Sequence, residues 1–392
     1  MTTESGIIVL AGYLVRYPLG GFAWQAAHYL SGLRALGFDV YFYEETEFYP
    51  PAYNPAKKEQ TYEYDYGVKA AANFLASVGF GNKWVFVNSS NKKEYGPCSG
   101  QAQSLLRDAD LLINLGGVNR IAAEKRCGKP SIYIDFDPAY TQLKLLNGDE
   151  MLKSLLYEHH ALFSYGENIG TPHSTVPSDG QCWHPTRPPV TLEFWSQAGG
   201  PGKNYTTIGA WNSSDRDLVF NGSVLRWRKR TEWMQYLQLP QLTRAQFELA
   251  MDVDSVPGDV EILTQNGWIV QDPLLISTDP WNYRNYIATS YGEFTVAKQM
   301  NVELRSGWFS DRSACYLASG RPVITQDTGF SSVIPVGEGL FAFNTAADIL
   351  EAVEAINANY QGHCNAARAL AEDYFKAEMV LAKLITDSSC KL

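Results

Sequence analysis

Short apolar runs alternate with stretches of helical spacing along most of this chain. Ile7-Ile-Val-Leu-Ala is continuously apolar, as expected of a strand covered on both faces. Residues 22–36 carry Phe22, Ala26, Leu30 and Leu33 at helical intervals and stop at Gly37. Val40-Tyr-Phe-Tyr reads as a second strand, so the chain opens as a βαβ unit and predicts a parallel sheet. Residues 50–66 form a Tyr- and Pro-rich excursion. After it, helices at 66–78, 101–107 and 121–126 alternate with strands at 83–87, 111–115 and 131–135. That rhythm predicts a doubly wound half.

The rhythm breaks between 171 and 202, where prolines stand at 172, 177, 185, 188, 189 and 201. This is the expected crossing between domains. Strands at 206–209, 218–220, 247–251 and 268–270 follow, with helices at 228–236 and 281–289. Ser310 and Asp311 then occupy N-cap positions and Ser313 to Leu317 a helical turn. Gly320 closes that helix, Pro322 prevents its continuation, and Val323-Ile-Thr starts a strand. A strand at 340–343, a helix at 346–359 and a last helical stretch at 366–385 complete the pattern.

The predicted fold is α/β with two Rossmann-like doubly wound domains facing a cleft. Residues 1–180 form the N-terminal domain, 181–205 the linker, 206–365 the C-terminal domain, and 366–392 a helix packing back across the crossing. The length allows two ordinary domains, and 45% hydrophobic residues suffice for their cores. A formal charge of −10 disfavours a phosphate-backbone partner, although a local basic groove is compatible with it. The six cysteines include no C-x-x-C pair and read as reduced cytosolic thiols. No apolar run approaches the length of a membrane span, and the first residues lack a basic leader, so the expected location is cytoplasmic.

Ligands of open α/β sheets bind beyond the carboxyl ends of the strands. Arg16, Gly20 and Gly21 follow the first strand, and paired glycines allow close backbone approach. Gly-x-Gly-x-x-Gly is absent, which argues against a dinucleotide and against Glu44 as a ribose ligand. His28, in the first helix, is either a base or a packing residue. Asp135-Phe-Asp137 after a strand allows three readings: a turn, a general base at Asp137, or a metal–diphosphate holder. In Arg226-Trp-Arg-Lys-Arg230 the expected diphosphate contacts are Lys229, then Arg226; the bland reading is a solvated helix face. Arg284, Glu293, Ser310, Asp311, Arg312 and Ser313 lie in one part of the chain. The helix beginning near Asp311 offers free N–H groups to an anion. Trp308 and Phe309 either stack on a base or fill core. No cysteine spacing suggests zinc, and His159-His160 is a pair without ligand spacing.

These pieces resemble GT-B glycosyltransferases. Gly20-Gly21-Phe-Ala-Trp-Gln-Ala-Ala-His-Tyr-Leu-Ser-Gly-Leu is similar to their first loop and helix. The stretch from Ser306 through Asp311 to Ile324 is similar to their donor-diphosphate site. The run 292–343, with Ser164-Tyr-Gly-Glu-Asn-Ile-Gly170 and Asp135-Phe-Asp-Pro, is similar to a poorly characterised group of bacterial glycosyltransferase-like proteins. The resemblance implies a hexosyltransferase using a nucleoside-diphosphate sugar, most simply a UDP-sugar, with no cofactor or metal. Donor contacts would come from Lys229, Arg226, Arg284, Glu293 and Ser310 to Ser313. Gly20, Gly21 and Asp135 would line the acceptor side, and Asp137 and His28 would carry the chemistry. A small molecule, lipid, glycan or modified nucleobase would accept the sugar. The retaining members' two glutamates eight apart are missing, with Gly307 and Cys315 in their places. Retaining stereochemistry therefore does not transfer, and Asp311 or Glu293 is the available acid. A nucleotide-sugar epimerase and a non-catalytic sugar-binding protein share the same pattern.

Overall fold

A computed structural model describes residues 6–178, 180–196, 200–212 and 216–389. The parts of the predicted segments at 1–5, 179, 197–199, 213–215 and 390–392 lie outside them, Cys390 included. The first sheet has eight strands in the order Trp183–Pro185, Ala161–Ser164, Ser131–Asp135, Leu111–Leu115, Ile7–Ala11, Asp39–Glu45, Trp84–Asn88 and Lys93–Tyr95. All pairings are parallel except the last. The second has six parallel strands: Ile269–Gln271, Gln246–Met251, Asn204–Gly209, Gly292–Thr295, Val323–Gln326 and Leu340–Phe343. In each, a strand early in its half lies centrally with crossovers to both sides, which is the doubly wound arrangement. Strands such as Leu111–Leu115 and Val323–Gln326 are buried throughout, as expected of a parallel sheet covered on both faces.

The two halves meet closely. The helix Gly20–Ala35 begins against the helix Pro280–Thr289, where a Cβ on Gly20 would sit 2.4 Å from the Tyr283 Cβ. Trp24 Nε1 donates to Pro280 O at 2.6 Å. On the other side, Asn168 N donates to Ser306 O and Asn168 Nδ2 to Gly329 O. The C-terminal helix Ala377–Asp387 packs back on Gly20–Ala35, where a Gly32 Cβ would meet Leu381 and Ala377 at 2.6 and 2.7 Å. It is reached through Tyr360–Leu370, which still packs on the second domain, and a π-helical segment Ala371–Phe375.

Two expectations needed tertiary correction. Leu218–Phe220 does not join the six-stranded sheet; it forms a separate hairpin with Ser223–Leu225. Asn221-Gly222 turns it with φ of 49° and 79°, the left-handed pair that a tight hairpin turn requires. The Pro-rich crossing also contributes a strand, Trp183–Pro185, to the first sheet.

Candidate functional site

A cleft of about 580 Å³ lies between the domains, at the carboxyl ends of both sheets. The first domain lines it with Gly21, Phe22 and Asp137, and the second with Gly209, Trp308 and Asp311. Gly209 ends the strand Asn204–Gly209, and Asp252 follows the strand Gln246–Met251. Asp272 and Leu274 follow Ile269–Gln271, so one wall is built from three adjacent strand ends. The same carboxyl-end rule that singled out Asp137 points to Asp252 and Asp272, which sequence reasoning did not name.

The helix Asp311–Ala318 starts at this cleft. Its N-cap, Ser310, makes no side-chain cap, and the Arg312 N–H donates to the Asp311 carboxylate at 2.8 Å. Burial raises the Asp311 carboxyl's pKa, against the pull of Arg312 and Lys229. Arg312 is buried and anchored within its own domain: it donates to Glu293 Oε1 at 2.6 Å, Ile208 O at 2.8 Å and Thr295 Oγ1 at 2.9 Å. Glu293 is wholly buried, and its Oε2 has no partner among the described residues. This ion pair ties the start of the helix to the ends of two central strands.

Lys229 is half-buried, and its Nζ lies 5.6 Å from the ring centroid of Trp308, which lines the cleft. No carboxylate among the described residues pairs with it. Burial lowers its pKa well below that of an ordinary lysine, with Arg312 and Lys298 adding repulsion and Glu293 and Asp311 opposing. An ammonium in that position is short of negative charge, which is what a diphosphate supplies.

On the facing domain, Asp137 is one-third exposed and lies between two cavities. Its Oδ1 accepts from Lys298 Nζ at 2.5 Å. Asp135 is buried instead. It accepts from Thr141 Oγ1, Gln142 Nε2 and Ser164 Oγ at 2.7, 2.9 and 3.0 Å, and from the Asp137 N–H at 3.1 Å. It therefore holds the turn that presents Asp137. Burial pushes the Asp135 carboxyl to about 6, only partly offset by these hydrogen bonds. A raised folded-state value means the proton is held more tightly in the folded chain. The associated stability is present below the ordinary carboxylate range and is lost as pH rises through about 6. Asp135→Asn does not titrate there. Its unfolding free energy relative to the parent is expected to improve by on the order of 2 kcal/mol between pH 4 and 7, read by urea unfolding at each pH. A pH-independent difference would remove the assignment.

The remaining expected residues fall elsewhere. His28 is 3% exposed, and its ring nitrogens are approached by Thr191 N–H at 3.0 Å and Trp195 Nε1–H at 3.1 Å. Burial lowers its pKa to about 3, so the ring stays neutral and packs the crossing segment. Arg284 donates to Phe194 O and Ser196 O, tying the helix Pro280–Thr289 to the same segment. Arg226 is exposed, and its backbone N–H reaches Gln299. Ser313 is buried with an unpartnered hydroxyl. Gly20 is a packing glycine against Tyr283, whereas Gly21 opens on the cleft. Glu44 is engaged internally: its carboxylate accepts the Leu14, Val15 and Arg16 N–H groups at 2.6–2.9 Å and the Arg16 guanidinium.

The missing glutamates also have structural reasons. Gly307 has φ of +80°, and a Cβ there would lie 2.8 Å from Asn168 N, so the domain contact excludes any side chain. Cys315 faces inward, 3.7 Å from His28 Nε2. Among the described residues, no group of three or more His, Cys, Asp and Glu side chains is arranged to hold a metal, and no helix is long and apolar enough to cross a membrane.

No protein-family model and no curated protein matches the sequence. Solved structures do share the fold. An alpha-glucosyltransferase in complex with UDP-glucose and DNA containing an abasic site is similar, with a TM-score of 0.60 and 10% identity. The match covers 99% of this chain and 100% of that one. HepE of Anabaena, solved with UDP and glucose, matches with a TM-score of 0.55 and 11% identity over 98% of this chain and 100% of its own. Sucrose-phosphate synthase from Thermosynechococcus elongatus matches with 0.53 and 12% over 97% and 98%. At these identities the likeness establishes the GT-B arrangement of two Rossmann-like domains.

Proposed function

We propose that this protein is a cytoplasmic hexosyltransferase that moves a sugar from a UDP-sugar to an acceptor hydroxyl without a metal ion. The observation that carries it is Lys229, a half-buried cation with no paired carboxylate among the described residues, which stands against Trp308 of the interdomain cleft where the helix Asp311–Ala318 starts. Complexes of similar proteins with UDP and UDP-glucose support the choice of donor. Asp252, Asp272 and Leu274 border the end of the cleft suited to the base, and Trp308 and Lys229 the region of the diphosphate. Asp137 faces the sugar from the opposite domain. The acceptor O–H gives its proton to the Asp137 carboxylate as its oxygen bonds to the sugar C1. The bond from C1 to the diphosphate oxygen breaks, and UDP leaves with the electron pair. Lys229 and the helix N–H groups offset the charge that develops on the leaving group. Five described cysteines are unpaired, in keeping with a reducing compartment.

The test is thermal stability with UDP, GDP, dTDP and their sugars. A ligand at a hundred times its dissociation constant adds about 2.7 kcal/mol. Lys229→Ala is expected to weaken UDP binding by about 1.5–3 kcal/mol, the loss of one charge-assisted contact. No stabilisation by any nucleotide would remove the donor site. A new sugar isomer formed without acceptor would replace transfer by epimerisation.

A further inference from the structure

A second cavity, of about 510 Å³, opens from the cleft into the first domain. The two spaces share Phe22, Phe136 and Asp137. Its walls are aromatic. Tyr13 and Tyr17 stack with centroids 4.6 Å apart at 25°, and Tyr13 meets Phe22 edge-on at 5.4 Å. Tyr49, Phe136 and Tyr140 extend the surface. Gly116 makes room for it: a Cβ there would lie 2.3 Å from the Phe136 ring.

The walls are rigidly supported. The Glu44 carboxylate gathers three successive N–H groups of residues 14–16, and Arg16, 0% exposed, donates through Nη1 to Tyr49 O at 2.6 Å. One buried ion pair thus positions both tyrosine-bearing loops. The rim is polar, with Lys144 paired to Asp149 at 2.6 Å and Arg216 nearby. A nucleic acid is poorly served here, since Asp252, Asp254 and Asp272 line the neighbouring cleft and the chain carries −10. A lipid chain has no use for the charged rim. A pyranose fits both features: its apolar C–H surface packs on the aromatic lining, and its hydroxyls reach the rim.

We infer that this cavity is the acceptor subsite and that it takes a neutral saccharide, packed against the aromatic lining to which Tyr13 and Tyr17 belong, with one hydroxyl directed at Asp137. The inference rests on the transferase reading for its direction, but the pocket can be tested separately. Saturation-transfer-difference NMR is run on the protein, with and without UDP. The probes are methyl glucosides and galactosides, maltose, cellobiose and sucrose. At least one is expected to bind, and Tyr17→Ala is expected to weaken it about tenfold while Tyr17→Phe does not. UDP-induced thermal stabilisation should be the same in all three proteins. Absence of a saccharide signal would overturn the inference. So would binding indifferent to both Tyr13→Ala and Tyr17→Ala, or UDP-glucose turnover with a hydroxymethylpyrimidine DNA duplex and with none of the saccharides. Loss of the UDP response alone would instead strike the donor site, because the saccharide titration without UDP decides this pocket.

Discussion

Asp137→Asn is expected to lower sugar transfer about a hundredfold or more while leaving UDP binding unchanged. The substitution keeps the shape of a side chain that borders both cavities. What it removes is the charge that receives the acceptor proton, and a positioned general base contributes roughly 10²–10⁴-fold. Lys298, 2.5 Å from Asp137 Oδ1, holds the carboxylate in place. Oδ2 has no partner among the described residues and is the oxygen available to the acceptor. The proposed donor contacts lie on the facing domain, so donor affinity provides the control. The measurement is UDP release at saturating UDP-sugar and acceptor, with calorimetric UDP titration beside it. Turnover equal to the parent's would dismiss Asp137 as the base, and a parallel loss of UDP affinity would move it to the donor side.

Glu293→Ala is expected to cost about 3–5 kcal/mol of stability, the largest structural effect of any single substitution at the site. Glu293 is 0% exposed and Arg312 9%, and their 2.6 Å contact neutralises a guanidinium that solvent barely reaches. Truncation leaves that charge buried and unpaired, at the junction of the strands Asn204–Gly209 and Gly292–Thr295 with the helix Asp311–Ala318. Removing both charges together, as Glu293→Leu with Arg312→Met, should cost less than the single change, because no orphaned ion remains. Urea unfolding of the three proteins checks this. A Glu293→Ala variant as stable as the parent, or a double variant worse than the single, would show that the pair does not hold the helix start.

Much of the architecture was legible because it depends on local periodicity. The runs at 7–11 and 111–115 and the strand expected from Val323-Ile-Thr are largely buried strands, and Gly37 and Gly320 follow the helices they were expected to close. The turn Asn221-Gly222 was equally local, yet strand propensity at 218–220 suggested membership of the main sheet. The strands Ala161–Ser164 and Trp183–Pro185 were hidden: one is four residues long, the other lies among prolines, and both form by pairing with neighbours already in place.

The candidate site divides in the same way. Asp137, Asp311 and Gly21 follow from their positions at strand and helix ends, and the structure sets all three on the cleft. Residue type alone did not separate Arg284 and His28 from the site, because a cation that binds diphosphate and one that ties a loop look identical until their partners are known. Arg284 is committed to carbonyls of the crossing segment and His28 to Thr191 and Trp195, over sequence separations of about ninety and more than a hundred and sixty residues.

The amino-acid order by itself determined where several of the main strands and helices lie, that two parallel α/β halves form, and that the chain carries a net negative charge. These properties depend on neighbours a few positions apart or on composition. Only the tertiary structure decided which charges are neutralised within the protein and which, like Lys229, remain short of a counter-ion. It also decided that Glu44 and Arg16 serve to fix an aromatic wall beside Asp137. Those outcomes depend on distances between residues far apart in the chain, which become defined only when the two domains pack.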